Sequence, residues 1–311
     1  YRRQRQMCIR DRSMSEVPIP KEKWSGKITE VPLSSGIAVG GERGMPFLSY
    51  EGLGRRQLVA GEVIDDPEVV AFCSGTPVDQ AKAWVSECGA DMICLKLLSA
   101  DPESKNISPE DAAKIVQEVL DAVDVPVIVY GCGNEEKDPK VLEAVSNLCS
   151  SKRLIIGQSN ENTYKSISAA AMANGHGIVA FSNLDINLAK QMNILLNDFG
   201  VKLDNVVMDP LMAGLGMGLE YSYSVNERIR IAALMNDRML QPPMICDSTG
   251  AWDAREATDD NPLWGDADER GMWWEVATAL AALMSGADIV IVRNKNSAKI
   301  IADAISDLRG E

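Results

Sequence analysis

From Leu58 onward, short apolar runs alternate with amphipathic stretches at a steady beat, the pattern expected of successive βα units. The apolar runs predict eight strands, over 58–64 (LVAGEVI), 91–97 (DMICLKL), 126–130 (PVIVY), 153–157 (RLIIG), 177–181 (GIVAF), 205–209 (NVVMD), 243–247 (PMICD) and 287–292 (ADIVIV). Most of these runs are apolar almost throughout, as parallel strands covered on both faces require. Between and after them, helices are predicted near 77–88, 108–122, 138–149, 163–174, 185–199, 224–236, 271–285 and 296–308.

The helix ends carry recognisable punctuation. Ser108-Pro109-Glu110-Asp111 reads as an N-cap, a first-turn proline and acids at the positive end of the helix dipole. Asp185 is a second N-cap, and Gly89, Gly175, Gly200 and Gly286 are placed to close helices in the left-handed conformation just before the next strand. Eight such units favour a closed (β/α)₈ barrel, a TIM barrel. An open doubly wound sheet stays possible, because alternation does not reveal strand order. The run GLGMG at 214–218 follows Asp209-Pro210 instead of opening a helix directly after a strand, so it is poor support for a dinucleotide fold.

The stretch before the first strand differs in texture. Residues 1–13 (YRRQRQMCIRDRS) hold five arginines against one aspartate and resemble neither a signal nor a transit peptide, so a non-native leader ahead of Met14 is expected. Residues 14–57 are rich in Pro and Gly and read as an N-terminal extension or lid, leaving 58–311 as the barrel.

Composition narrows the functional classes. With 31 Lys and Arg against 45 Asp and Glu, the formal net charge is −14. A body this acidic repels phosphate backbones and anionic lipid, which excludes nucleic acid and membrane surfaces as main partners. The seven cysteines are scattered, with no CxxC pair, so no zinc site or iron-sulfur cluster is expected from this chain, and reduced thiols in a cytoplasmic protein are. The single histidine, His176, precedes the fifth strand and falls on the face of a barrel that serves stability, which rules out His-dependent triads and multi-His metal sites.

Barrel chemistry concentrates at the carboxyl ends of the strands. The residues just past those ends are Asp65-Asp66, Ser99, Gly131 to Asn134, Gln158 to Asn160, Ser182-Asn183 with Asp185, Asp209, Asp247 to Thr249, and Arg293-Asn294. This rim reads as amide-rich, with few strong acids or bases, suited to gripping a polar ligand more than to abstracting protons. Asn134 either bonds its own turn or points into the mouth. Gly214, Gly216 and Gly218 either form a loop or let a flat ligand or a partner's backbone approach closely. Asp247, Ser248 and Thr249 either cap the next turn or orient a ligand. Four tryptophans, Trp252, Trp264, Trp273 and Trp274, crowd the segment after the seventh strand and are expected to serve as interface anchors.

Several strings then bring a family into view: GGERGMPFLSYEG (40–52), PVIVYGCGNEEKDPKVLEAV (126–145), DINLAKQMNILL (185–196), EYSYSVNERIRIAAL (220–234) and LQPPMI (240–245). Together, and in this order, they resemble the delta subunits of acetyl-CoA decarbonylase/synthase and their bacterial counterpart, the small subunit of the corrinoid iron-sulfur protein. The resemblance implies a TIM barrel that pairs with a large (gamma) subunit carrying the iron-sulfur cluster and a corrinoid domain. It also implies a cobamide lying between that subunit and the barrel mouth, with methyl passing from a methyltetrahydropterin methyltransferase to acetyl-CoA synthase. Such a chain is not expected to be catalytic alone. Asn134, Asn160, Asn183, Asp209, Gly214, Gly216, Gly218, Asp247 and Thr249 would line the cofactor face. The sequence departs from the family pattern at Leu211-Met212, where hydroxyl residues are usual, and at Arg293-Asn294, where His-Pro is frequent. Two other readings stand beside this one: a methyltetrahydropterin-binding corrinoid methyltransferase barrel, and a scaffold that only holds a complex together.

Overall fold

The computed structural model describes residues 57–66 and 74–309. The expected leader at 1–13, the extension at 14–57 apart from Gln57, and the string at 40–52 lie outside the described residues. Eight parallel strands run β1 (Leu58–Ile64), β2 (Met92–Lys96), β3 (Val127–Tyr130), β4 (Ile155–Ser159), β5 (Gly177–Phe181), β6 (Val206–Asp209), β7 (Ile245–Asp247) and β8 (Ile289–Val292). Each pairs with its neighbour in the order β6-β5-β4-β3-β2-β1-β8-β7, so the first strand meets the last, as Val59 opposite Val290 records. The seam between β6 and β7 is narrower, a single parallel bridge of Met208 to Met244, with Met208 N–H donating to Pro243 O at 2.7 Å. The sheet is therefore a nearly closed barrel, and the open-sheet alternative falls.

Helices alternate with the strands: α1 (Pro77–Cys88), α2 (Pro109–Ala122), α3 (Asp138–Leu148), α4 (Tyr164–Asn174), α5 (Ile186–Phe199), α6 (Leu219–Leu234), α7 (Ala267–Ser285) and α8 (Lys295–Arg309). The sequence punctuation holds at their ends. Ser108 Oγ accepts from Asp111 N–H at 3.1 Å, Asp185 Oδ1 accepts from Asn187 N–H at 2.7 Å, and Gly89, Gly175, Gly200 and Gly286 all have positive φ. Several boundaries move, four of them for reasons visible in the contacts. β4 begins two residues later than predicted, because Arg153 is exposed and donates across to Asn205 Oδ1 at 2.6 Å. β7 is shortened to Ile245–Asp247 because Pro243 has no N–H to donate to a ladder. α6 begins at Leu219, entered through Gly218 in the left-handed region, and α7 begins at Ala267 because Asp266 caps it, accepting from Glu269 N–H at 2.9 Å.

Two apolar layers organise the interior. A large shell of strand and helix residues, among them Ile93, Leu95, Val116, Leu142, Ile156, Met192 and Ile301, fills the space between barrel and helices. A second cluster contains strand residues only: Leu58, Ala60, Met92, Cys94, Ile128, Tyr130, Ile155, Val179, Val207, Ile245, Ile289 and Ile291. Because side chains alternate along a strand, this second set is the one that points into the barrel. His176 is buried, accepts from Leu154 N–H at 3.2 Å through Nδ1, and so acts as a structural link before β5. Among the described residues no helix is long and apolar enough to cross a membrane.

Candidate functional site

The inward alternation does not stop where the apolar residues do. Two positions beyond Ala60 stands Glu62, beyond Cys94 stands Lys96, beyond Ile128 stands Tyr130, beyond Val207 stands Asp209, beyond Ile245 stands Asp247, and beyond Ile291 stands Arg293. The carboxyl end of the barrel is therefore closed by a layer of polar and charged side chains laid directly on an apolar one. In β4 the register shifts between Ile156 and Ser159, and Gln158 joins the layer.

These groups pair with one another. Lys96 Nζ lies 2.6 Å from both Glu62 Oε1 and Asp247 Oδ2 and donates to Thr249 Oγ1 at 3.0 Å. Arg293 Nε donates to Glu62 Oε2 at 2.5 Å. Asp247 Oδ1 accepts from Thr249 N–H at 3.0 Å and from its hydroxyl at 2.6 Å. On the other side of the mouth, Asp209 Oδ2 accepts from Gln158 Nε2 at 2.6 Å and Tyr130 OH at 3.0 Å, while Oδ1 accepts from Leu211 N–H at 3.0 Å. Below Arg293, the carboxylate of Glu275 accepts the N–H groups of Arg293 at 2.6 Å and Asn294 at 3.1 Å and so fixes the chain as it leaves β8.

Burial and pairing divide the acids into two kinds. Burial pushes the carboxyls of Glu62 and Asp247 up, but the Lys96 ammonium beside both, with Arg293 on Glu62, more than offsets it and holds them below the usual carboxylate range. Burial also works against the charge on Lys96, yet Asp247 and Glu62 keep it firmly protonated. Asp209 lacks a cation: burial pushes it up to about 6 against its hydrogen bonds from Gln158 and Leu211. Burial pushes Glu275 up to about 7 against the two N–H groups it accepts.

Above the floor of this layer opens a cavity of about 310 Å³, lined by Lys96, Tyr130, Gln158, Phe181 and Asp247 below and by the loops Gly131–Glu135 and Asn160–Thr163 at the sides. The residues expected to line a cofactor face divide accordingly. Asp209, Asp247, Thr249 and Asn160 gather at the mouth. Asn160 is largely committed to its own loop, with Oδ1 accepting from Asn162 N–H at 2.9 Å and Thr163 N–H at 3.0 Å and Nδ2 donating to Glu135 Oε1 at 2.7 Å. Asn134 bonds its turn, accepting from the N–H groups of Glu136 and Lys137, each at 3.0 Å. Asn183 is exposed on the rim after β5 with φ 38°.

The glycines of 214–218 also answer an internal need. A Cβ at Gly214 would stand 2.8 Å from Ala251 Cα, and Gly218 turns into α6 at φ 105°. Two of the four tryptophans expected to serve as interface anchors are not freely displayed. Trp252 is buried against Gly271, where a Cβ would meet its ring at 2.2 Å, and Trp274 is half-buried; Trp273 is exposed but lies within α7, and Trp264 is exposed in the loop before it.

The expected neutral, amide-rich opening is corrected by this arrangement, since the mouth has a charged floor. Glu62, Lys96, Tyr130 and Glu275 lie outside the set of residues just past the strand ends, so a reading of those ends does not reach them. The signal for the first three was in the sequence, as the period-two continuation of each inward apolar series.

The chain matches the family model described as CO dehydrogenase/acetyl-CoA synthase delta subunit over residues 48–305. It is 35% identical over 314 residues to the acetyl-CoA decarbonylase/synthase complex subunit delta of Methanosarcina mazei, covering 93% of this chain and 72% of that protein. It is likewise 35% identical over 303 residues to the subunit delta of Methanocaldococcus jannaschii, covering 91% of this chain and 75% of the relative. Among solved structures, a dihydropteroate synthase of Xanthomonas albilineans with 4-aminobenzoic acid superposes with a TM-score of 0.57 at 16% identity, covering 82% of this chain and 93% of that one. The dihydropteroate synthase of Thermus thermophilus in complex with 6HMPPP gives 0.54 at 21% identity, covering 82% and 94%. At such identities the likeness is one of fold, and it agrees with the TIM barrel.

Proposed function

The chain belongs to the CO dehydrogenase/acetyl-CoA synthase delta-subunit family, and from that premise we propose that its barrel mouth covers a corrinoid held by a second, large subunit. The observation that carries this reading is the state of the floor: each ionisable group there is already engaged by another, Lys96 with Glu62 and Asp247, Arg293 with Glu62, and Asp209 with Tyr130 and Gln158. A layer paired in this way is rigid and polar, suited to facing a ligand and poorly suited to attacking one. The cavity of about 310 Å³ is at the small end of ligand pockets, so a macrocycle would lie across the opening and not within it.

A corrinoid is fringed with amide arms, and the mouth offers them acceptor carbonyls from Gln158 and from the Gly131–Gly133 backbone, whose N–H groups are already given to Gly157 and Asp138, with Asn134, Asn183 and the Gly214–Gly218 turn farther out on the rim. The corrinoid's cobalt supplies the methyl-carrying centre. This chain shields and orients that face while the large (gamma) subunit holds the cofactor and the iron-sulfur cluster. Methyltetrahydropterin methyltransferase and acetyl-CoA synthase are the donor and acceptor partners.

One feature favours a second reading, in which the barrel binds methyltetrahydropterin itself: Asp209, a buried carboxyl raised to about 6 beside the Gln158 amide, is the type of group that takes the ring and amino N–H groups of a pterin. Purifying the chain alone and co-expressed with the large subunit separates the two readings. A corrinoid absorption band in the pair and none in the lone chain is the expected result. Tight methyltetrahydropterin binding and turnover by the lone chain would overturn the covering role in favour of the second reading.

A further inference from the structure

Beside the mouth, on the β6–β7 side of the same rim, lies a surface that the cofactor reading does not use. Leu263 is 91% exposed, Tyr221 65%, Met217 51%, Trp273 49% and Trp264 45%. They are carried by the segments that follow β6 and β7, and these segments meet where a Cβ at Gly214 would stand 2.8 Å from Ala251 Cα. A Cβ at Gly216 would stand 3.5 Å from Glu256 Oε2 and 4.0 Å from Trp274 Nε1, and one at Gly218 would stand 3.2 Å from the Tyr221 ring. Large apolar and aromatic side chains grouped in the open mark an interaction surface, and tryptophan is the residue type that most often dominates one.

The charges around this patch are one-sided. Residues 253–270 hold seven carboxylates and two arginines, and Asp253, Glu256, Asp260, Asp266, Asp268 and Glu269 are exposed. Both arginines are taken up locally, Arg255 by Asp259 at 2.6 Å and Arg270 by the Asp259 carbonyl. The Arg270 guanidinium also sits 5.6 Å from the centre of the Trp264 ring, so that ring already serves as a cation platform.

We propose that this acidic, aromatic rim is a docking site for a basic face of the large subunit, one that presents Lys or Arg side chains among apolar residues. The proposal rests on the multi-subunit reading given above. A second copy of this chain is a poor occupant, because a two-fold contact would set the same carboxylates against one another. Nucleic acid and anionic membrane are repelled by the same charge.

The test titrates the corrinoid-loaded large subunit with the full chain by calorimetry, at low and at high salt. Two variants probe the patch: Trp264→Ala with Trp273→Ala, and Glu256→Lys with Asp260→Lys. Met284→Ser, at the opposite end of the barrel, is the control. All five side chains are exposed or loop-borne, and thermal melting checks that each variant folds.

The expected result is roughly tenfold or greater weakening by the tryptophan pair, and weakening with a flattened salt dependence by the charge reversal, with the control unchanged. Binding by both variants with wild-type affinity and salt dependence would overturn the docking site, and if the pair still shows the corrinoid band, the covering role survives that result. Failure of the wild-type chain to bind the large subunit at all would overturn both. A dimer of the lone chain that the same substitutions dissolve would replace the proposal with self-association.

Discussion

Lys96 is held by two carboxylates and a hydroxyl inside the barrel mouth, and removing one partner of such a network leaves the others charged and dry. Lys96→Met is therefore expected to lower stability by about 3 kcal/mol or more in urea unfolding at neutral pH. A loss under about 1 kcal/mol, the range of exposed pairs, would mean that the network is solvated. The acids give a pH signature of two opposite signs.

Glu275 has its folded-state pKa raised from 4.5 to about 7, so between those values the folded chain binds a proton that the unfolded chain has released. Its contribution to stability is present at low pH and is lost as pH rises through about 7. Glu62 and Asp247 are shifted downward, so their contribution is present above their unfolded values and is lost as pH falls through their lowered ones. Unfolding measured from pH 5 to pH 8, a range chosen about these values, should show a decline toward the alkaline side that Glu275→Gln reduces. An unchanged slope in that variant would assign the decline elsewhere.

At this scale the sequence was half legible. Asp209, Asp247 and Thr249 are legible because they stand at or past the ends of apolar runs, whereas Glu62 and Lys96 lie within the apolar runs themselves, where a polar residue carries no local mark of its direction. Their role follows only when the alternation from Leu58 and Met92 is carried inward to the last turn of the barrel.

Elements were easier to read where their signals are local. Caps and left-handed glycines act within one turn of chain, and Ser108, Asp185, Gly89, Gly175, Gly200 and Gly286 all stand where the sequence puts them. The segments 210–218 and 249–266 resist such reading because their shape comes from contacts between them. Gly214 is glycine on account of Ala251, which is distant in sequence and adjacent in space. Gly214→Ala should accordingly cost about 1–3 kcal/mol in thermal or urea unfolding, because the backbone of Ala251 cannot retreat as a flexible side chain could. Gly250→Ala, with nothing within 4 Å of the added carbon, should change stability by less than about 0.5 kcal/mol. Equal effects at the two sites would remove the close approach as the reason for Gly214.

For the whole molecule, alternation of strands and helices indicated a parallel sheet but could not close it, since closure is a pairing between the first and last strands and lies beyond any local window. The β1–β8 ladder supplies it. Closure has a functional consequence: it turns eight strand ends into one rim, with a charged floor at its centre and an acidic, aromatic edge beside β6 and β7. Family membership places this rim in an acetyl-CoA decarbonylase/synthase system. The central claim is that the rim faces the corrinoid of another subunit.

Hydrogen exchange with mass spectrometry tests that claim directly, by comparing the chain bound to corrinoid-loaded large subunit with the chain bound to corrinoid-free large subunit. The account expects the cofactor to slow exchange in the loops at 131–134, 158–163 and 209–218, with no change at 149–153 and 200–205 on the opposite end of the barrel. Protection that appears only at that opposite end, or that does not depend on the corrinoid, would contradict it.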